Sequence, residues 1–208
     1  MLSEGSAFKQ RDWDAPAVTR DWHWIYDHAT CDLDKARLMA IKSPRSSDWL
    51  FALPVSTCGL RLSDEEIRIA VGLRLGLNLY EPHICPCRAN VDARGLYGLS
   101  CKRSTGRSIR HQQLNDIIWR ALKRADIPAT KEPAVLFEGM ESVQIVSFVP
   151  WQGGRCPTWN ATIVDTLAVS YVQIGTTTSA GAARAAAARK HANYDTISAT
   201  HIFVRVPM

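Results

Sequence analysis

The chain has 208 residues, is 46% apolar and 22% charged, and carries a formal net charge of +5; that suffices for one hydrophobic core with a small appendage and excludes a wholly disordered chain. No stretch approaches ~20 uninterrupted apolar residues, which excludes a membrane-spanning helix. The first thirty residues carry charges throughout and no apolar h-region, so secretion is not expected.

In chain order, residues 1 to 30 are polar, with Trp13, Trp22 and Trp24 at no clear period. Leu33 to Ile41 can form a short helix, stopped by Ser43-Pro44 because the residue before proline is pushed out of helical geometry. Ser63-Asp64-Glu65-Glu66 is a capping box, and Ile67, Ala70 and Val71 follow at helical spacing, so a helix is predicted at about 64–76. Residues 80–107 are rich in Gly, Pro and Asn, have no period, and read as a loop or a small metal-type module. Leu114, Ile117, Ile118, Ala121, Leu122 and Ala125 step by three and four, predicting a helix at about 108–125 with one apolar stripe. Strands are predicted at Ala134–Phe137 and Val143–Val149. Gly153-Gly154 makes a turn. A third strand at Thr158–Val164 alternates Trp159, Ala161 and Ile163 against Asn160, Thr162 and Val164. The Ala-rich stretch from Ala180 to Tyr194 favours helix, and Ile202–Val206 is a last β-rich run. The predicted class is α+β, with a helical region at 1–79, a Cys/His module at 80–107, and a unit at 108–208 in the order α, β, β, β, α, β.

Three of the six cysteines, Cys85, Cys87 and Cys101, fall within one short basic segment. With no export signal, reduced thiols in a nuclear or cytoplasmic protein are the stronger reading. Zn²⁺ takes four N or S ligands in a tetrahedron. Cys85, Cys87 and Cys101 with His83 or His111 could supply them, and Zn²⁺ is the cofactor these residues suggest. The spacing C-x-C is a weaker signal than C-x-x-C.

The positive charge is concentrated. From 94 to 124 the chain carries Arg94, Lys102, Arg103, Arg107, Arg110, Arg120, Lys123 and Arg124 against Asp116 alone. Such a strip can neutralise phosphates, so DNA or RNA is the expected partner, with Arg103, Arg107, Arg110, Arg120, Lys123 and Arg124 as contacts. A solvated helix face is the alternative. No P-loop, G-x-G-x-x-G or G-x-S-x-G element is present. Nothing in the sequence fixes the oligomeric state.

The element order from residue 108 resembles the core of the restriction-endonuclease-like, PD-(D/E)XK type, nucleases. Many short runs also resemble, in one order, the region that follows the reverse transcriptase in metazoan non-LTR retrotransposon polyproteins. They include Ser47-Asp48-Trp49-Leu50, Pro82-His83-Ile84-Cys85-Pro86-Cys87, Gly98-Leu99-Ser100-Cys101, Arg110-His111, Pro150-Trp151, Trp159 with Ala161-Thr162, and Ala199-Thr200-His201. This resemblance implies a Cys/His knuckle, with Cys and His often at the positions of Tyr80 and Tyr97, followed by a Mg²⁺-dependent endonuclease core. It places the first metal-binding acid in Ser142-Val143-Gln144-Ile145, represented by Gln144, the second at Asn160, and the lysine beside the scissile phosphate at Lys190. Neither acid position carries an acid. A neutral amide holds Mg²⁺ much more weakly than a carboxylate. The implied function is thus an endonuclease-like domain that binds nucleic acid without cutting it. The alternatives are an active Mg²⁺-dependent nuclease using displaced acids (Glu138, Glu141 or Asp165) and a coding remnant without activity.

Overall fold

The computed structural model describes residues 9–101, 103–104, 106–131, 145–193 and 201–207. α1 (Gln10–Asp27) begins where the Asp12 carboxylate accepts from the Lys9 backbone N–H at 2.9 Å. Within the helical region expected at 1–79, the sequence shows no period that marks this helix, and the reason is physical. α1 is exposed along most of its length, so it needs no apolar stripe. Trp22 and Tyr26 are its half-buried contacts, stacked with ring centroids 4.9 Å apart, and the Lys42 ammonium lies 3.8 Å above the Trp22 ring. α2 (Asp32–Lys42) ends just ahead of Pro44, as expected. α3 (Asp64–Leu75) is set by the capping box. The Ser63 hydroxyl accepts from the Glu66 N–H at 3.3 Å, and the Glu66 carboxylate accepts from the Ser63 N–H at 2.7 Å. Gly76, at φ +73°, closes the helix in a left-handed conformation that suits glycine.

The segment expected to be irregular contains a small antiparallel hairpin, β1 (His83–Ile84) with β2 (Asn90–Val91), and one helical turn, α4 (Tyr97–Ser100). α5 (Gly106–Arg124) follows. Its inward face is rotated from the predicted stripe. Leu114 and Asn115 are buried, with His111, Ile118 and Leu122 partly so, whereas Ile117 is 62% exposed and Ala121 and Ala125 face outward.

Among the described residues, the core is a four-stranded sheet whose strand order follows the chain: β3 (Ala129–Lys131), β4 (Ile145–Ser147), β5 (Cys156–Thr162) and β6 (His201–Pro207). β3, β4 and β5 are antiparallel neighbours, with Ala129 opposite Ser147 and Ile145 opposite Trp159. β6 then runs parallel to β5, from Cys156 opposite His201 to Thr162 opposite Pro207. A parallel neighbour requires a crossover, and α6 (Val172–Thr177) and α7 (Gly181–Asn193) lie within it. β3 is a strand that the sequence reading did not place; the run predicted at Ala134–Phe137 lies outside the described residues, as do Glu138, Glu141 and Gln144. Gly153 and Gly154 form the expected turn, with φ of +60° and +73°. α6 is a helix the sequence does not announce.

Ile145, Val146, Ser147, Thr158 and Ala161 are buried at the centre of the sheet. α7 covers it with Ala182, Ala183, Ala186 and Ala187, whose small side chains let helix and sheet approach closely. The same face continues, at i+4 spacing, to Lys190. Gly181 is required at the α6–α7 corner, because a Cβ there would lie 2.9 Å from the Ile174 carbonyl oxygen.

The N-terminal helices are bound to this unit across the expected 79/80 and 107/108 boundaries. α2 packs on α6, where Ala36 is fully buried against Gly175. The Tyr26 hydroxyl donates to the Thr176 carbonyl at 2.6 Å, and the Gln173 amide donates to Asp32 at 2.9 Å. Asp34 ties in the hairpin segment. Its carboxylate accepts both terminal N–H groups of Arg94 at 3.0 and 3.1 Å, the Arg37 guanidinium at 3.3 Å and the Cys31 thiol at 3.0 Å. Arg94 is therefore an internal tie and leaves the phosphate strip.

Candidate functional site

The thiol cluster forms because a tight turn and a helical turn meet. Between β1 and β2, the Cys85 N–H donates to the Ala89 carbonyl at 2.9 Å, and Arg88 donates to the Cys85 carbonyl at 2.7 Å while adopting φ +72°. This turn presents Cys85 and Cys87 side by side. Cys101 caps α4, its N–H donating to the Tyr97 carbonyl at 2.9 Å. The Cys101 sulfur lies 3.7 Å from that of Cys85 and 3.8 Å from that of Cys87, and all three sulfurs fall within 4.8 Å of one another. The group could hold a metal ion. Arg103 braces the turn from outside, donating to the Pro86 carbonyl at 2.9 Å.

Neither candidate histidine joins this group. His111 lies on the half-buried face of α5, and its Nε2–H donates to the Ala161 carbonyl at 2.8 Å, which ties α5 to β5. The phase of the helix decides this, because position 111 shares the inward side with Leu114 and Asn115. His83 is exposed, with Nδ1 2.9 Å from the Glu81 carbonyl oxygen. The residue that reaches the cluster is Tyr97, whose hydroxyl lies 2.8 Å from the Cys87 sulfur. That hydrogen bond, aided by the Ala89 N–H, lowers the Cys87 thiol to about 7. The same contact pushes the Tyr97 phenol up, since its proton is held by sulfur. Tyr80 packs elsewhere, its ring against Gly95, where a Cβ would meet it at 2.4 Å.

This arrangement fixes an expected result. Alkylation of Cys87 in metal-free protein should rise with a midpoint near pH 7. Tyr97→Phe should move that midpoint to higher pH, because the thiolate loses its strongest donor. Mass-spectrometric alkylation rates at Cys87 across pH measure it; an unmoved midpoint would show that the phenol does not stabilise the thiolate.

A second site is a cleft of about 480 Å³ between α4, α5, the segment after β5, and α7. Arg110, Arg189 and Lys190 line it, with Ser100, Asp165 and Tyr171. Each cation has a structural reason for its place. Arg110 is on the exposed side of α5, donating to the Gly106 and Leu99 carbonyls at 3.2 and 3.3 Å. Lys190 continues the buried alanine face of α7, and burial lowers its ammonium below the usual lysine range. Arg189 donates to the Tyr171 hydroxyl, and its guanidinium lies 4.9 Å from that ring's centre. Asp165 accepts from the Leu167 N–H at 3.0 Å; burial raises its carboxyl, against the Leu167 bond and the charge of Arg110.

Of the residues expected to matter, Lys190, Asp165 and Arg110 are brought together at this cleft. Asn160 is on the adjoining strand β5, and its side chain and that of Arg107 lie outside the described set. Arg120, Lys123 and Arg124 are exposed at the far end of α5. From Arg110 to Arg120 is ten residues, about 15 Å along the helix. Sequence reasoning missed Arg189 and Tyr171. Arg189 precedes Lys190 in the chain and is a second cation on the same turn, but only the fold joins it to Tyr171.

No family model, no curated protein and no solved structure matches this chain.

Proposed function

We propose that this chain is a retrotransposon-derived, endonuclease-like domain that binds nucleic acid and has lost the means to cut it. The observation that carries the reading is the cleft where Arg110, Arg189 and Lys190 converge beside a mixed sheet. The order α5, β3, β4, β5, α7, β6, with α6 as an additional helix ahead of α7, three antiparallel strands and a parallel fourth, supports a restriction-endonuclease-like core. A phosphate backbone suits three clustered cations, and the exposed cations further along α5 extend the track. The charge balance argues for binding rather than cleavage. Mg²⁺ takes carboxylates and water at strict octahedral geometry. Among the described residues lining the cleft, Asp165 is the one carboxylate; its Oδ1 accepts from the Leu167 N–H, and burial raises its carboxyl, which disfavours the ionised form that a cation needs. The described lining therefore offers Mg²⁺ a single, weakened carboxylate, which supports binding without cleavage.

The second reading is an active nuclease using Asp165, which the shared cleft of Asp165 and Lys190 favours. A nicking assay on supercoiled plasmid with Mg²⁺ or Mn²⁺, run beside a low-salt gel shift, separates the two. The proposal expects a shift and no nicks. Nicking abolished by both Asp165→Asn and Lys190→Ala would overturn it in favour of the second reading. Neither nicking nor a shift would leave the chain as a remnant without this activity.

For the thiol cluster we propose Zn²⁺ as the bound ion. Three sulfurs within 4.8 Å fit a borderline-soft ion better than Mg²⁺ or Ca²⁺, which take oxygen.

A further inference from the structure

Two separations in the thiol cluster distinguish ligands from neighbours. At a Zn–S distance of about 2.3 Å and tetrahedral angles, two coordinated sulfurs lie about 3.8 Å apart. Cys101 stands 3.7 Å from Cys85 and 3.8 Å from Cys87. A coordinated sulfur and a coordinated oxygen, at about 2.3 and 2.0 Å from the ion, lie about 3.5 Å apart. The Tyr97 hydroxyl is only 2.8 Å from the Cys87 sulfur, which is a hydrogen-bond distance. Among the described residues, no His, Cys, Asp or Glu joins the three cysteines. His111 is engaged with β5, and His83 lies outside the group.

Building on the Zn²⁺ reading above, we infer that Cys85, Cys87 and Cys101 form a three-thiolate site whose fourth position is left to an exchangeable ligand from outside the protein, with Tyr97 donating a hydrogen bond to the coordinated Cys87 sulfur. Zinc sites closed by four protein ligands are structural, whereas sites with three keep a position for water or an incoming donor. The chemistry of three thiolates favours a soft or borderline fourth donor, a monothiol or an imidazole, over the water it would displace. Tyr97 is a positioning residue in this scheme. Its hydrogen bond drains charge from one sulfur and holds that ligand in place, as outer-shell donors do. Arg103 braces the same turn at Pro86, so the ligand pair is held from both sides.

The test uses the full chain, reduced and metal-free, titrated with Co²⁺ as the spectroscopic probe and then with Zn²⁺. One equivalent of Co²⁺ should give thiolate-to-metal charge-transfer absorption, and Cys101→Ser should weaken binding at least tenfold. Excess 2-mercaptoethanol should then raise the charge-transfer band by about a third, as three thiolates become four, and shift the d–d bands. Tyr97→Phe should keep the metal stoichiometry and the response to thiol. Circular dichroism of the Tyr97→Phe and Cys101→Ser variants establishes that each is folded. If the natural chain binds neither ion, the zinc reading fails and this inference fails with it. If it binds Co²⁺ but the spectrum ignores added thiol, the site is closed, and the inference alone is overturned.

Discussion

Replacing Arg110, Arg189 and Lys190 together by alanine should flatten the salt dependence of DNA binding and weaken binding at low salt. Each phosphate contact contributes about −0.9 to the slope of log K against log salt, so three lost contacts reduce its magnitude by about 2.7. Between 50 and 200 mM salt, the natural chain should then lose about 40-fold more affinity than the triple variant does. Fluorescence anisotropy with one labelled duplex at several salt concentrations measures both slopes. Arg68→Ala is the matched control. Arg68 pairs with Glu65 on the exposed face of α3, and its removal should leave the slope unchanged. A triple variant with the natural slope would remove the cleft from the interface. If Arg120→Ala, Lys123→Ala and Arg124→Ala flatten the slope instead, the nucleic acid lies along α5 and bypasses the cleft. Burial also gives the cleft a pH signature. Lys190 is held below the usual lysine range, so its share of the affinity should fade at lower pH than that of an exposed lysine. Lys190→Arg should abolish that fading, because arginine stays charged.

The elements that were legible in the sequence are those whose cause is local. The capping box at Ser63 and Glu66 acts within one turn, and α3 begins where it says. The alanines of α7 have high intrinsic helix propensity, and polar and apolar residues alternate from Thr158 to Thr162, the part of β5 that falls in the strand predicted at 158–164; Thr158 and Ala161, on opposite faces, are both buried, so the strand is covered on both sides. Where tertiary contacts decide, the sequence misleads. α1 lacks a stripe because it is mostly exposed, so periodicity has nothing to report. The inward face of α5 includes polar Asn115 and half-buried His111, while apolar Ile117 faces outward; a count of apolar residues rotates that face wrongly.

The candidate sites divide in the same way. The three cysteines are within seventeen residues of one another, so their clustering could be read directly. The fourth member of that neighbourhood, Tyr97, stands at a position where the resemblance implies a His ligand, but its own residue type gave no chemical reason to place it there. His111, with the right chemistry, is drawn away by the helical phase of α5. The cleft joins residues from α4, α5, the end of β5 and α7, which are up to ninety positions apart. Lys190 was singled out through resemblance alone. The physical ground for it is its place at the end of the buried alanine face, and that depends on how α7 lies on the sheet.

The largest loss of stability from one side chain is expected at Asp34. Its carboxylate side chain is 20% exposed and accepts from Arg37, whose side chain is 16% exposed, and Arg94, at 29%. Removing it leaves two largely buried guanidinium groups facing each other without an anion. Breaking a buried pair costs about 3–5 kcal/mol, and the residual exposure here lowers that to about 2–4 kcal/mol. Asp34→Ala should lose this much in urea unfolding at pH 7. Burial would raise the Asp34 carboxyl, but the bonds and charges of Arg94, Cys31 and Arg37 outweigh it and hold the group below the usual range. A group depressed in the folded state stabilises above its unfolded value of about 3.9 and loses that contribution as pH falls through the folded value. The gap between natural chain and variant should therefore be constant from pH 7 to about 5 and close in stronger acid. Arg94→Lys gives a milder version. It keeps the charge, loses the two-pronged geometry and should cost about 1 kcal/mol. If Asp34→Ala shifts stability by less than about 0.5 kcal/mol, as surface changes do, the tie between α2 and the hairpin segment contributes nothing. The cysteine cluster would then depend on its own turn for its geometry.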